Sequence, residues 1–389
     1  MATTTLALGD LAIERELSQV AESFRFVLDV TPVDVEGQRG KFLNGEIREP
    51  VFTYRELEDD PGIIGATLDA IDVDRVEDAT LGHLLRAKHR ELGLQLEMLR
   101  SRHTSRFLPL SEELYGSVDA GLLLQAEAIL EQVAVPADDS DERVDATRFA
   151  ELAENELAYY RAIEPDIGVH IEIRPDVSGV MVSGGVLLVS SATSVHAGRV
   201  NALLQHEVGT HLVTHINGGF QPIRMMATGL AGYEETQEGL AVFAEFLVGG
   251  LSTFRLRQLA AGVVAVKQMM AGERFGDVHQ SLVDWGFSPH SAFTTTMRVF
   301  RAGGLTKDAV YLRGLLNLLG HLNDGGTLDR LWLGKLSLEE LPLVDELLER
   351  GVLERPKLLP RYLDEPVTAV RLEKASNLTD LTQLIGGIT

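Results

Sequence analysis

Residues Gln205 to His215 read Gln-His-Glu-Val-Gly-Thr-His-Leu-Val-Thr-His and hold three of the chain's eleven histidines and a glutamate. Their neighbours are apolar or small, so these polar groups do not form a solvated face. Two imidazoles beside a carboxylate supply what a Zn²⁺ site needs. The usual spacing places the histidines at i and i+4 on one helical face. Here His206 and His211 stand five apart, roughly 140° around an ideal α-helix against about 40° for i and i+4. They converge if the helix carries a one-residue π-bulge, a distortion common at functional sites, and Gly209 between them lowers its cost. The alternative is His211 with His215, an ordinary i, i+4 pair.

A catalytic zinc usually has three protein ligands and one open position, so a third ligand is expected from another element. Glu238 is the best candidate, in Thr236-Gln237-Glu238-Gly239-Leu240-Ala241 at the start of an apolar helix running to about Val248. Glu234, Glu235 and Glu245 compete. The first two fall in the helix's first turn, where a carboxylate commonly just complements the helix dipole.

The two segments together, His-Glu-Val-Gly-Thr-His at 206–211 and Gln-Glu-Gly-Leu-Ala at 237–241, resemble the flavohaemoglobin-expression-modulating QEGLA-motif proteins. Vertebrate relatives of that family are the microtubule-associated tyrosine carboxypeptidases, zinc peptidases with a His-Glu-x-x-x-His helix and a later glutamate ligand. Residues 111–116, 305–312 and the leucine-rich segment 331–363 look like the same family, so the resemblance spans about residues 15–365. It implies Zn²⁺ on His206, His211 and Glu238, Glu207 as the catalytic carboxylate, and therefore the bulged helix. It leaves His215 to packing or to supporting a ligand.

The resemblance implies a fold as well: α+β, predominantly helical, a zincin-like core with a small sheet beside the histidine helix. Residues 1–110 are expected as a helical segment packed on a catalytic domain spanning 111–389. The reaction implied is removal of a C-terminal residue, tyrosine or another aromatic, by metal-activated water. Glu207 serves as general base and returns the proton to the leaving amine. The tetrahedral oxyanion needs a donor besides the metal. Residues 297–312 resemble a shared block of the family and offer Tyr311 as a phenol donor. They also offer Arg298, Arg301 and Lys307 as partners for a substrate carboxylate. Two alternatives of another kind stand beside this one: a regulatory or scaffold protein retaining a structural metal, and a zinc amidase acting on a non-protein amide.

Composition narrows the partners. With 35 basic and 58 acidic residues the net charge is −23, which disfavours nucleic acid and anionic membrane surfaces, both of which need basic patches. The expected partner is a peptide or protein C-terminus. With no cysteine in the chain, disulfides and thiolate sites are excluded. The first ten residues lack a basic region followed by a long apolar run, and no apolar stretch of about 18 residues occurs. The expected location is the cytoplasm.

Periodicity places helices over residues 10–28, 63–71, 74–101, 111–133, 144–164, 195–216, 238–248, 251–271, 275–284, 289–301, 305–320 and 336–350. Leu81, Leu84, Leu85, Lys88, Leu92, Leu96 and Leu99 form a buried stripe. Residues 32–50 read as a turn-rich connection, and 135–145 as a polar acidic loop. The one clear β region is 169–190, with Gly184-Gly185 as a hairpin turn. Val186–Ser190 is expected to be an edge strand beside the histidine helix, open to a substrate backbone. Ser194 is the expected N-cap of that helix, and the glycine-rich loop 217–232 lies between the two ligand helices.

Overall fold

A computed structural model describes residues 6–135, 142–378 and 381–385. It is an α+β fold, predominantly helical. One apolar core runs from Leu17 to Leu384, so segments far apart in the chain share it. Helix Ala79–Arg100 shows how local sequence sets its elements. The Asp78 carboxylate caps it by accepting from the Leu81 N–H at 2.9 Å, and all seven residues of the expected stripe are buried, Lys88 included.

Several boundaries differ from expectation for identifiable reasons. The expected helix over 111–133 is two helices, Phe107–Tyr115 and Ala120–Gln132, parted where Gly116 takes φ +76° and Asp119 caps the second. The expected connection at 32–50 contains a helix, Val35–Leu43. Gly37 and Gly40 each cost it up to about 1 kcal/mol. Phe42, packed against Phe275 and Phe293 in a small aromatic cluster, offsets that cost. Of the acidic loop at 135–145, residues 136–141 lie outside the described residues.

The strands form two sheets. β1 (Arg143–Asp145) pairs antiparallel with β5 (Ser194–His196). Ser194 is therefore a strand residue, not the N-cap of a helix, and the next α-helix starts at Val200. β2 (His170–Arg174), β3 (Val180–Ser183) and β4 (Val186–Ser190) form a three-stranded sheet in the order β2-β4-β3. Gly184 and Gly185, both at positive φ, make the hairpin turn between β3 and β4. This order corrects the expectation for Val186–Ser190. β4 is the central strand, buried along its length, with its hydrogen bonds taken by parallel β2 and antiparallel β3. Among the described residues, the strand with an unpaired edge beside the histidine helix is β3. Among the described residues no helix is long and apolar enough to cross a membrane.

Near the C-terminal end, a 3₁₀ turn at Leu338–Glu340 leads into helix Leu341–Glu349. Glu340 is only 9% exposed, and burial, with Glu91 adding to it, pushes its carboxyl from an ordinary 4.5 to about 7. A pKa raised on folding contributes stability below the unfolded value that is lost as pH climbs through the folded one. A shift of that size corresponds to about 3 kcal/mol. Urea unfolding of wild type and Glu340→Gln between pH 4.5 and 8 should therefore diverge, with wild type weakening by roughly that amount relative to the variant. Parallel pH profiles would contradict the assignment.

Candidate active site

Residues 200–219 form one helix in three parts: α-helix Val200–His206, a π-helical turn Glu207–Leu212, and α-helix Val213–Gly219. The widened turn that the five-residue spacing requires is thus present. It rotates His211 back onto the face of His206, and the ring centroids lie 5.1 Å apart. The Thr210 hydroxyl donates to the Gln205 carbonyl at 3.0 Å, and Thr214 to the Thr210 carbonyl at 2.8 Å. Gly209 keeps an ordinary negative φ. Its missing side chain instead leaves room for Gln205, whose Oε1 would lie 2.5 Å from a Cβ there, and for Tyr362.

The helix Tyr233–Leu247 crosses the 200–219 helix. It carries Glu238 to the two histidines, where Glu238 Oε2 lies 3.6 Å from His206 Nε2 and 3.7 Å from His211 Nε2. One donor atom from each of the three residues lies within 4.8 Å of the others. Oε2 is buried and has no hydrogen-bond partner. Its separations from the imidazole nitrogens are too long for good hydrogen bonds. They are close to the roughly 3.4 Å between ligands on a tetrahedral zinc. The donor set, its spacing and the orphaned oxygen all fit Zn²⁺.

The groups behind these three residues orient them. His206 Nδ1 lies 2.9 Å from Glu245 Oε1. Burial disfavours charge on Glu245, yet Arg255, His206 and Arg199 hold its carboxyl well below the usual range. Glu245 is therefore a fixed anion that selects the tautomer with Nε2 free to ligate. The same Thr214 hydroxyl lies 2.8 Å from Gln237 Oε1, sharing its one hydrogen between that oxygen and the Thr210 carbonyl, and the amide oxygen faces His211 Nδ1 at 3.4 Å. On the other side of Glu238, Oε1 accepts from Lys307 Nζ at 2.8 Å, and Lys307 also pairs with Glu234 at 3.1 Å. Glu235 pairs with Arg313. The three competitors for the ligand role thus hold partners of their own. Glu245→Gln should weaken metal affinity by about 10–100-fold, as read by competition with a chelator. An unchanged affinity would show that the Nδ1 contact is idle.

Glu207 is buried beside His206. Burial pushes its carboxyl up, His206 and His211 pull it back, and Glu238 and Glu245 push it further. That is the direction a general base working near neutral pH needs. Among the described residues no hydrogen bond or ion pair engages its carboxylate. Tyr311 sits on the Lys307 side, with Lys307 and Arg298 each 5.4 Å and Arg255 5.9 Å from its ring centroid. Burial and Glu238 raise its pKa, so it stays a phenol able to donate.

The expected substrate cations are already engaged. Arg298 grips Asp308 in a two-pronged pair at 2.8 and 2.9 Å. Lys307 is taken by Glu238 and Glu234. Arg301 is buried and reaches Thr31 Oγ1 at 3.3 Å. His215 stands outside the ligand cluster with Nδ1 on the Ala227 carbonyl at 3.2 Å, and burial lowers its pKa to about 4.

Comparison with known proteins bears on this geometry. The family model described as microtubule-associated tyrosine carboxypeptidase matches residues 41–380. The proteins named microtubule-associated tyrosine carboxypeptidase 1 from Mus musculus and from Rattus norvegicus are each 28% identical over 194 residues. Each match covers 45% of this chain and 41% of the relative. This chain therefore matches less than half the length of those curated relatives. The solved structure of a protein described as a lipoprotein from Colwellia psychrerythraea aligns over 80% of this chain and 66% of that one. Its TM-score is 0.43 and its identity 9%, a likeness too distant to carry any argument.

Proposed function

The chain belongs to the microtubule-associated tyrosine carboxypeptidase family, and from that premise we propose that it is a zinc-dependent carboxypeptidase releasing a C-terminal tyrosine or another aromatic residue. The observation that carries this reading is the convergence of His206, His211 and Glu238 within 4.8 Å, with Glu207 next to the first of them. Zinc, when bound, supplies Lewis acidity towards a carbonyl and acidifies water to a pKa near 7. The remaining steps belong to the chain's own groups. Glu207 takes the proton of the attacking water and delivers it to the leaving amine. The Tyr311 hydroxyl donates to the oxygen on which negative charge develops. Lys307 and Glu245 keep Glu238 and His206 in place while charge moves. The free edge of β3, beside the histidine helix, is the place for the substrate backbone to add as a strand. A zincin-like arrangement of helix and sheet accommodates all of these roles.

The test is metal content by elemental analysis, joined to release of the terminal residue from peptides ending in tyrosine. About one zinc per chain is expected in wild type, with loss of both metal and release in His206→Ala and Glu238→Ala. No bound zinc and no uptake on its addition would overturn the proposal.

A further inference from the structure

Almost every cation around the site is already neutralised. Lys307 pairs with Glu234 and Glu238, Arg298 with Asp308, Arg313 with Glu235, Lys88 with Glu91, and both Arg199 and Arg255 with Glu245. Two cations are not paired with a carboxylate among the described residues: Arg301, which is buried and reaches Thr31 Oγ1, and Lys335. The Lys335 segment follows the 3₁₀ turn Asp329–Trp332 and pairs by backbone with the loop before the glutamate helix. The Lys335 N–H donates to the Met226 carbonyl at 2.8 Å, and the Leu230 N–H to the Lys335 carbonyl at 2.9 Å. Gly334 permits that approach, since a Cβ there would meet the Met226 oxygen at 2.6 Å.

These contacts hold the Lys335 side chain against Tyr233, the first residue of the helix that carries Glu238. The residue is 8% exposed. Its ammonium lies 5.7 Å from the Tyr233 ring centroid. Among the described residues no carboxylate comes within ion-pairing distance of it. Burial lowers its pKa to about 8, while Glu234 and Glu238 act from further away to support the charge. His215 also feels the Lys335 charge, and its Nε2 lies at the hairpin turn, 2.8 Å from where a Gly185 Cβ would be. The imidazole is held neutral by burial and by the Lys335 charge itself. Lys335 is thus a buried ammonium with no counter-ion among the described residues, between the end of the histidine helix and the start of the glutamate helix.

Burying a charge without a partner is costly, and proteins ordinarily neutralise it. The cost is recovered when a mobile anion completes the pair. We propose that Lys335 is the anchor for the carboxylate at the substrate's C-terminus, with the Tyr233 ring as the wall beside it. This rests on the reading of the chain as a carboxypeptidase and extends it. It assigns recognition of the chain end to a lysine outside the 297–312 block, in which Arg298 and Lys307 are committed to internal carboxylates and Arg301 reaches Thr31. It also accounts for exo-action, because an internal peptide bond presents no carboxylate at that position.

The experiment uses zinc-loaded Glu207→Gln protein and fluorescein-labelled peptides ending in tyrosine, as the free acid and as the C-terminal amide. The acid should bind at least about 30-fold more tightly, the range expected for a buried charge pair. Adding Lys335→Met, similar in shape and free of a folding penalty from lost charge, should collapse the preference to within about threefold. Adding Lys335→Arg should retain a preference for the acid. Equal binding of acid and amide before Lys335 is changed overturns the anchor, and so does a preference that survives Lys335→Met. If the preference depends on Lys335 but wild type releases no residue, the anchor stands and the hydrolytic reading falls.

Discussion

Glu207→Gln should lower kcat/KM for peptides ending in tyrosine by about 10²–10⁴-fold, roughly 3–5 kcal/mol of transition-state stabilisation, while the protein keeps its zinc. Glutamine preserves the size of the side chain and cannot accept a proton. His206, His211 and Glu238 are untouched, and their supports, Glu245, Gln237 and Lys307, do not involve Glu207. The same substitution should leave the melting temperature unchanged or raise it. Glu207 is a buried carboxylate whose ionisation is opposed by burial and by two neighbouring glutamates, so its removal relieves a cost. Loss of turnover with stability retained marks a group kept for chemistry. Activity within tenfold of wild type would remove Glu207 from the mechanism. A fall in zinc content matching the fall in activity would make it a metal-site residue.

How much of this was legible in the sequence depends on how local the cause is. The five-residue histidine spacing implies a widened turn, because only that puts both imidazoles on one face, and the turn Glu207–Leu212 has it. The stripe on Ala79–Arg100 and the Gly184-Gly185 hairpin are set by periods of 3.6 and 2 within one element. Non-local pairing was harder to see. Ser194 reads as a cap and is a strand because Asp145 lies opposite it. Val186–Ser190 reads as an edge and is central because His170–Arg174 returns to pair with it in parallel.

Among the site residues, the local pattern left His206 with His211 and His211 with His215 both open, and the resemblance selected the three that cluster. It did not show that Glu245, a competitor for the third ligand position, sits behind His206 on Nδ1. Nor did it single out Lys335, although a lone lysine in Leu331-Trp332-Leu333-Gly334-Lys335-Leu336 was a signal. A cation inside an apolar run needs a partner, and finding none nearby in sequence or space points to one from outside. Of the cations it did favour, Arg298 and Lys307 have charges the fold has already used, in pairs such as Arg298–Asp308 that only the folded chain assembles.

Gly239→Ala should destabilise the protein by roughly 3 kcal/mol or more, at or beyond the upper end of typical overpacking costs, and should lower zinc content at the same time. Gly239 follows Glu238, and its helix crosses helix Val310–Asn323 backbone to backbone. A Cβ at Gly239 would fall 2.3 Å from the Gly314 carbonyl carbon and 2.4 Å from its oxygen. One at Gly314 would fall 2.0 Å from the Glu235 oxygen. These are main-chain atoms inside two helices, so no rotamer change relieves the clash and the helices must separate. Separation pulls Glu238 from the histidines on one side and from Lys307, which enters from the turn before the second helix, on the other. The glycine in the Gln-Glu-Gly-Leu-Ala run is therefore required by steric contact, while Gln237 and Glu238 before it face the histidines and Leu240 and Ala241 after it fill the core. The control is Gly320→Ala in the same partner helix, where a Cβ meets nothing within 4 Å. There the loss of backbone freedom in the unfolded chain should stabilise by about 0.5–1 kcal/mol. Urea midpoints and zinc content of the two variants decide the matter. If Gly239→Ala unfolds at the wild-type midpoint with full metal, the close crossing does not position Glu238, and the ligand helix must be held by its Thr236–Leu338 and Lys307 contacts instead.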